Sequence, residues 1–173
     1  VGGKAAFYYL PLTIAEQLGY FKAEGLDVQI DDFAGAAKAQ QAVAGGSADV
    51  CSGAFDQTIA LQSKGQFYEV LVLQGRAPEI VVGVSTKTVP DYRHPGDLDG
   101  RKIGVSALGS ASEMVADLVL ARAGVRPAQV SFVGVGESTR ALTAMRTGEI
   151  DAISDLDPVM TMLEKKGDIR VIV

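Results

Sequence analysis

The residues with the most chemistry to offer lie together, in Gly104-Val105-Ser106-Ala107-Leu108-Gly109-Ser110-Ala111-Ser112-Glu113-Met114. A β-type run over 101–106 leads into a turn of small residues. The turn opens a helix that carries Met114, Val115, Leu118, Val119 and Leu120. A helix start leaves backbone N–H groups without carbonyl partners and presents the positive end of the helix dipole, so it attracts anions. Gly109 lets a ligand approach the backbone, and Ser110 and Ser112 add hydroxyls. Ser110 with Glu113 three residues on also fits a capping box, and a capped helix can still face a cleft. Ser110→Pro is expected to keep the fold and to weaken binding by removing one N–H.

Strands and helices alternate around this turn. Strands are expected at 101–106, 129–134, 150–154 and 168–173, with helices at 110–123, 137–147 and 158–166. Such alternation argues for an α/β protein with mainly parallel sheets. The earlier half reads similarly. Pro11 suits the first turn of a helix whose apolar face is Leu12, Ala15 and Leu18. Strands are expected at 26–30, 48–52, 67–73 and 79–85, and helices at 36–44 and 55–64. Between them, Pro90, Pro95, Gly96 and Gly100 among Asp91, Asp97 and Asp99 mark a connector. A faint repeat aligns Gly46-Ser47-Ala48-Asp49-Val50-Cys51-Ser52 with Gly148-Glu149-Ile150-Asp151-Ala152-Ile153-Ser154. We therefore expect two similar lobes: 1–88, a hinge at 89–100, and 101–173.

The 173 residues are 47% hydrophobic and 21% charged, as in a water-soluble globular chain. No apolar run approaches the roughly 20 residues that cross a bilayer. The net charge of -5, without a Lys/Arg cluster, argues against nucleic acid as a partner. A single Cys51 and a single His94 exclude an internal disulfide, a Cys- or His-based metal cluster and a credible Ser-His-Asp triad. Gly134-x-Gly136 lacks a third glycine, because Thr139 holds that position. Neither a phosphate loop nor a nucleophile elbow is present. No cofactor is expected. The chain opens on Val1 rather than Met, which suggests a processed or trimmed chain whose leader has been removed.

Three stretches resemble one family. They are Tyr9-Leu10-Pro11-Leu12-Thr13-Ile14-Ala15-Glu16-Gln17-Leu18-Gly19-Tyr20-Phe21-Lys22-Ala23-Glu24-Gly25-Leu26-Asp27-Val28, Asp97-Leu98-Asp99-Gly100-Arg101-Lys102-Ile103-Gly104-Val105, and Gly148-Glu149-Ile150-Asp151-Ala152 with Asp157-Pro158. They resemble the periplasmic solute-binding proteins of ABC importers, in the NMT1/THI5-like group with its sulfonate, taurine, nitrate and pyrimidine-precursor binders. The resemblance implies a two-lobed periplasmic-binding-protein type II fold, a small-molecule ligand, a membrane permease as partner, and a periplasmic location after loss of a signal peptide. Family members are much longer. The chain is therefore expected to hold the first half of lobe I plus most of lobe II, and to pair with another copy, swap elements or bind weakly.

The resemblance also points to the turns after successive strands as the ligand site. In the first lobe these give Lys4, Phe7, Tyr8 and Tyr9, then Phe33 and Gly35, then Ser52, Gly53 and Phe55. In the second they give Leu108, Gly109, Ser110 and Ala111, then Gly136 within Gly134-Val135-Gly136-Glu137-Ser138, then Asp155 and Asp157. Phe7, Tyr8 and Tyr9 are stacking candidates, although at least one should pack on the first helix. Lys4 could meet an anion or be solvated. Asp157 before Pro158 could bind an amine or simply cap a helix. The expected function is capture of a sulfonate-, nitrate- or carboxylate-like anion, with aromatic character. The alternatives are an enzyme on the same scaffold, such as a pyrimidine-precursor synthase, and the effector-sensing domain of a transcription regulator.

Overall fold

The alternation after residue 100 builds a five-stranded sheet. In the computed structural model, which describes residues 1–173, the strands are β1 (Val81–Ser85), β2 (Lys102–Val105), β3 (Ser131–Gly134), β4 (Ala152–Asp155) and β5 (Ile169–Val171). Their order is β3-β2-β4-β1-β5. β2 is parallel to β3 and β4, whereas β1 is antiparallel to β4 and β5. Thus β2 to β5 all point one way and β1 alone is reversed. The expectation of a mainly parallel sheet holds for its β3-β2-β4 half. No βα unit joins β1 to its neighbours, so no crossover requires it to run parallel. β1 was expected in the first lobe, yet it pairs within this sheet.

Helices cover both faces. α5 (Ala111–Arg122) packs on one face, where Ala116 and Leu120 meet Val84, Ile103 and Ala152. α6 (Thr139–Thr147) and α7 (Val159–Lys165) pack on the other, where Ala141, Met145 and Leu163 meet Ile153 and Ile169. Ala152 and Ile153 are neighbours in β4 and belong to opposite cores, as the two-residue period of a strand requires. Gly104 in β2 has no room for a side chain: a Cβ there would lie 2.5 Å from Ile150 Cδ1.

The first eighty residues supply α1 (Leu10–Gln17), α2 (Tyr20–Ala23), α3 (Ala36–Ala44) and α4 (Asp56–Gln62), with a 3-10 turn at Phe7–Tyr9. The stretches 26–30, 48–52 and 67–73, expected as strands, enter no ladder. An apolar pattern records what a segment would bury, but a strand exists only against a neighbour's edge. Val50, Phe67, Val70, Leu71, Val72 and Leu73 are accordingly exposed. The first of the two repeat halves therefore forms no strand, while the second forms β4. The N-terminal stretch is tied down locally: Gly3 N–H and Lys4 N–H both donate to Asp32 Oδ1, at 2.9 and 2.8 Å.

Candidate functional site

The turns after β2, β3 and β4 lie at the carboxyl ends of the three parallel strands, where ligands of open α/β sheets bind. The first segment lies directly on these turns. Phe7 N–H donates to the Asp157 carbonyl at 3.1 Å. A Cβ on Gly35 would stand 2.7 Å from Ala107 Cβ, and a Cβ on Gly3 would stand 2.3 Å from Glu137 Oε2. Gly3 has φ +104, a conformation open to glycine. Glycines thus let the two segments meet with backbone against turn.

Between them is a cavity of about 40 Å³. Its polar wall is Ser106, Ser110 and Ser112 at the start of α5, with Glu137 opposite in sequence terms, on the turn after β3. Tyr8 and Tyr9 form an aromatic wall, their rings edge-to-face at 5.2 Å. Ala36, Ala54, Pro78, Ile80, Ala111 and Leu156 complete the lining, which contains no Lys, Arg or His.

The capping box expected at Ser110 does not form. Ser110 Oγ is 2.8 Å from Ser112 Oγ, which also accepts the Ser106 N–H at 2.9 Å. Glu113 instead takes the Gly109 N–H at 2.8 Å. The three serines are buried and hold one another, so their hydroxyls are fixed at a helix start. The Ser110 N–H donates to the Ala107 carbonyl at 3.1 Å. Ser110→Pro therefore breaks a turn bond, and this N–H is not free for a ligand.

Two acids sit where charge is costly. Glu137 is only 9% exposed and Asp155 is fully buried. Burial raises the Glu137 carboxyl to about 8, with the Asp155 charge next and the Ser106 hydroxyl opposing. Burial raises Asp155 to about 7, opposed by the Leu156 N–H that its Oδ1 accepts at 2.9 Å. Glu137 Oε2 and Asp155 Oδ2 have no hydrogen-bond partner. Burial, with Glu137 as the second contributor, also pushes the Tyr9 phenol well above its usual value.

Of the residues nominated from sequence, Tyr8, Tyr9, Ser110 and Ala111 line this cavity. Asp155 couples to it through Glu137. Gly35 packs on the turn after β2, and the Gly53 carbonyl accepts from Tyr8 Oη at 3.2 Å. Gly136 donates to the Ser106 carbonyl at 3.0 Å, and Gly109 holds φ +76. Asp157 Oδ1 accepts the Thr161 N–H at 2.9 Å, so its carboxylate steadies the first turn of α7. The others do not line the cavity. Lys4 pairs with Glu16 at 2.6 Å, Ser52 donates to Gln74, and Phe33 N–H donates to the Val1 carbonyl. Phe7, Phe55 and Leu108 are exposed. Glu137 lies inside the turn 134–138, where its type gives no signal, because a glutamate in a turn is ordinarily solvated.

No group of three His, Cys, Asp or Glu side chains converges as a metal site would require. A larger groove of about 450 Å³ runs along the connector past Val89, Tyr92, Asp97 and Arg101. It is open to solvent and includes none of the turns after β2, β3 and β4, so the chemistry favours the smaller cavity.

A family model described as NMT1/THI5 like matches residues 6–172. A solved structure from Bordetella bronchiseptica RB50 is 62% identical, with a TM-score of 0.97; the match covers 99% of this chain and 54% of that one. The alkanesulfonate-binding protein SsuA from Xanthomonas axonopodis pv. citri, bound to MOPS, is 18% identical with a TM-score of 0.72 over 99% of this chain and 58% of that one. The ligand-binding component of an ABC-type import system from Staphylococcus aureus, with zinc bound, is 15% identical with a TM-score of 0.75 over the same shares. The last two likenesses show the shared periplasmic-binding-protein fold. The chain spans about half the length of a curated relative, YtlA of Bacillus subtilis (strain 168), to which it is 21% identical.

Proposed function

This chain belongs to the NMT1/THI5-like family, and on that premise we propose that it captures a small organic solute for an ABC importer. The solute lies between the first segment and the turns after β2, β3 and β4. The observation that carries this reading is the cavity itself. It is bounded by residues distant in sequence, walled by two tyrosines, and faced by the start of a 12-residue helix with three fixed hydroxyls. That helix start suits a sulfonate-, nitrate- or carboxylate-like group. The protein acts outside the cytoplasm, delivers its solute to a membrane permease and performs no chemistry on it.

The mechanism is closure. The first lobe comprises the residues before Val81, and the second comprises the sheet with α5 to α7. A solute that touches both lobes only when they meet shifts the equilibrium toward the closed state. Gly3 against Glu137 and Gly35 against Ala107 are the contacts between the lobes that a solute displaces. A solute larger than the cavity enters when these contacts part.

A dye-monitored melting screen tests this, since the chain has no Trp. The panel holds sulfonates, nitrate, carboxylates and pyrimidines. A solute at a hundred times its Kd should add about 2.7 kcal/mol of stability, a clear shift. A flat panel across a cooperative melt contradicts the proposal.

A further inference from the structure

We propose that the solute also carries a positively charged, flat nitrogen group of the amidine type, and that Glu137, supported by Asp155, is the subsite that receives it. The inference rests on the solute-binding reading above and makes the solute amphoteric: an anionic group at the start of α5 and a cationic one at Glu137.

Three observations converge. First, Glu137 lines the cavity at 9% exposure with Oε2 unpartnered, and Asp155, fully buried, has Oδ2 unpartnered. Buried carboxylate oxygens almost always have a partner, and leaving one without is costly. Second, the protein supplies no counter-charge, so the Glu137 carboxyl keeps its proton until a cation displaces it. The lining has no cationic side chain, and Lys4, beside Gly3 in sequence, is held by Glu16. After Asp155, Asp32 is a second acid acting on Glu137. Third, the neighbours of Glu137 suit a flat group once the solute has displaced Gly3. Gly3 packs against it without a side chain, and Tyr9, 3% exposed, provides a rigid aromatic wall. A planar donor pair lying along such a wall can give both N–H groups to a carboxylate, the arrangement in which charged hydrogen bonds are strongest.

The test uses three isosteres that differ in charge: benzamidine, benzamide and benzoate. Each is titrated calorimetrically into the full chain, the Glu137→Gln variant and the Asp155→Asn variant. Glu149→Gln, an exposed acid paired with Arg140 away from the cavity, serves as the charge control. Melting curves of all variants confirm folding. Benzamidine should bind at least about tenfold more tightly than benzamide, and should lose about tenfold or more in Glu137→Gln while Glu149→Gln retains it. Asp155→Asn should show a smaller loss in the same direction. If Glu137→Gln does not fold, the Asp155→Asn loss decides. Benzamidine binding that survives both substitutions overturns the subsite. Benzoate binding with no benzamidine binding also overturns it, yet leaves the solute-binding reading standing. If none of the three binds and the broader solute panel is also flat, both fail together.

Discussion

Glu137 and Asp155 set the pH behaviour. Each carboxyl binds its proton more tightly in the folded chain, at about 8 and about 7, than an ordinary carboxyl does. As pH rises from about 4 to 8, the unfolded chain releases these protons first, so stability falls across that window. At about 1.4 kcal/mol per pH unit, the Glu137 shift alone stands for a penalty on the order of 4 kcal/mol at pH 8 and above. The melting temperature should therefore fall steadily between pH 5 and 8.5. Glu137→Gln should flatten that slope and raise the melting temperature at pH 8; an unchanged slope in the variant would show that Glu137 is not buried as described. This residue was also the hardest to see in the sequence. Ser110, Tyr8 and Tyr9 advertise themselves by type and by place after a strand. A glutamate beside a glycine looks solvated until the fold lays Gly3 over it.

Among the elements, the second half was legible and the first half only partly so. β2, α5, β3, α6, β4 and α7 fall within a residue or two of their expected bounds, because each strand meets a neighbour and each helix buries one face. The segments 26–30, 48–52 and 67–73 carry strand-like patterns with no edge to pair with. The reversal of β1 could not be read, since strand direction depends on the path of the chain and not on periodicity. Close packing at this scale gives two predictions. Gly104→Val should push against Ile150 and Val135 and cost about 1–3 kcal/mol in urea unfolding. Met145→Ala, in the core under α6, should cost about 2–5 kcal/mol by the same measurement. A cost near zero at either site would mean that the sheet and helix layers are looser than described.

The molecule as a whole is an α/β unit onto which a less regular first segment is folded. That segment carries the exposed run Phe67–Leu73, with Phe67 at 77% exposure and Leu71, Val72 and Leu73 each above 70%. An exposed apolar run of this kind, interrupted only by Glu69, associates with others of its kind. Sedimentation velocity should show mass increasing with concentration, and Leu71→Lys should shift it back toward the monomer; a monomer at all concentrations would mean that the run is covered in solution.

The central claim is that the solute is held between the two segments, at the carboxyl ends of β2, β3 and β4. Hydrogen exchange, with and without the most stabilising solute of the melting screen, tests it most directly. The account predicts simultaneous added protection at 7–9, at 106–113 and at 135–138, one stretch from the first segment and two from the second. Protection confined to 88–101, along the open groove of the connector, or to one segment alone, would contradict it.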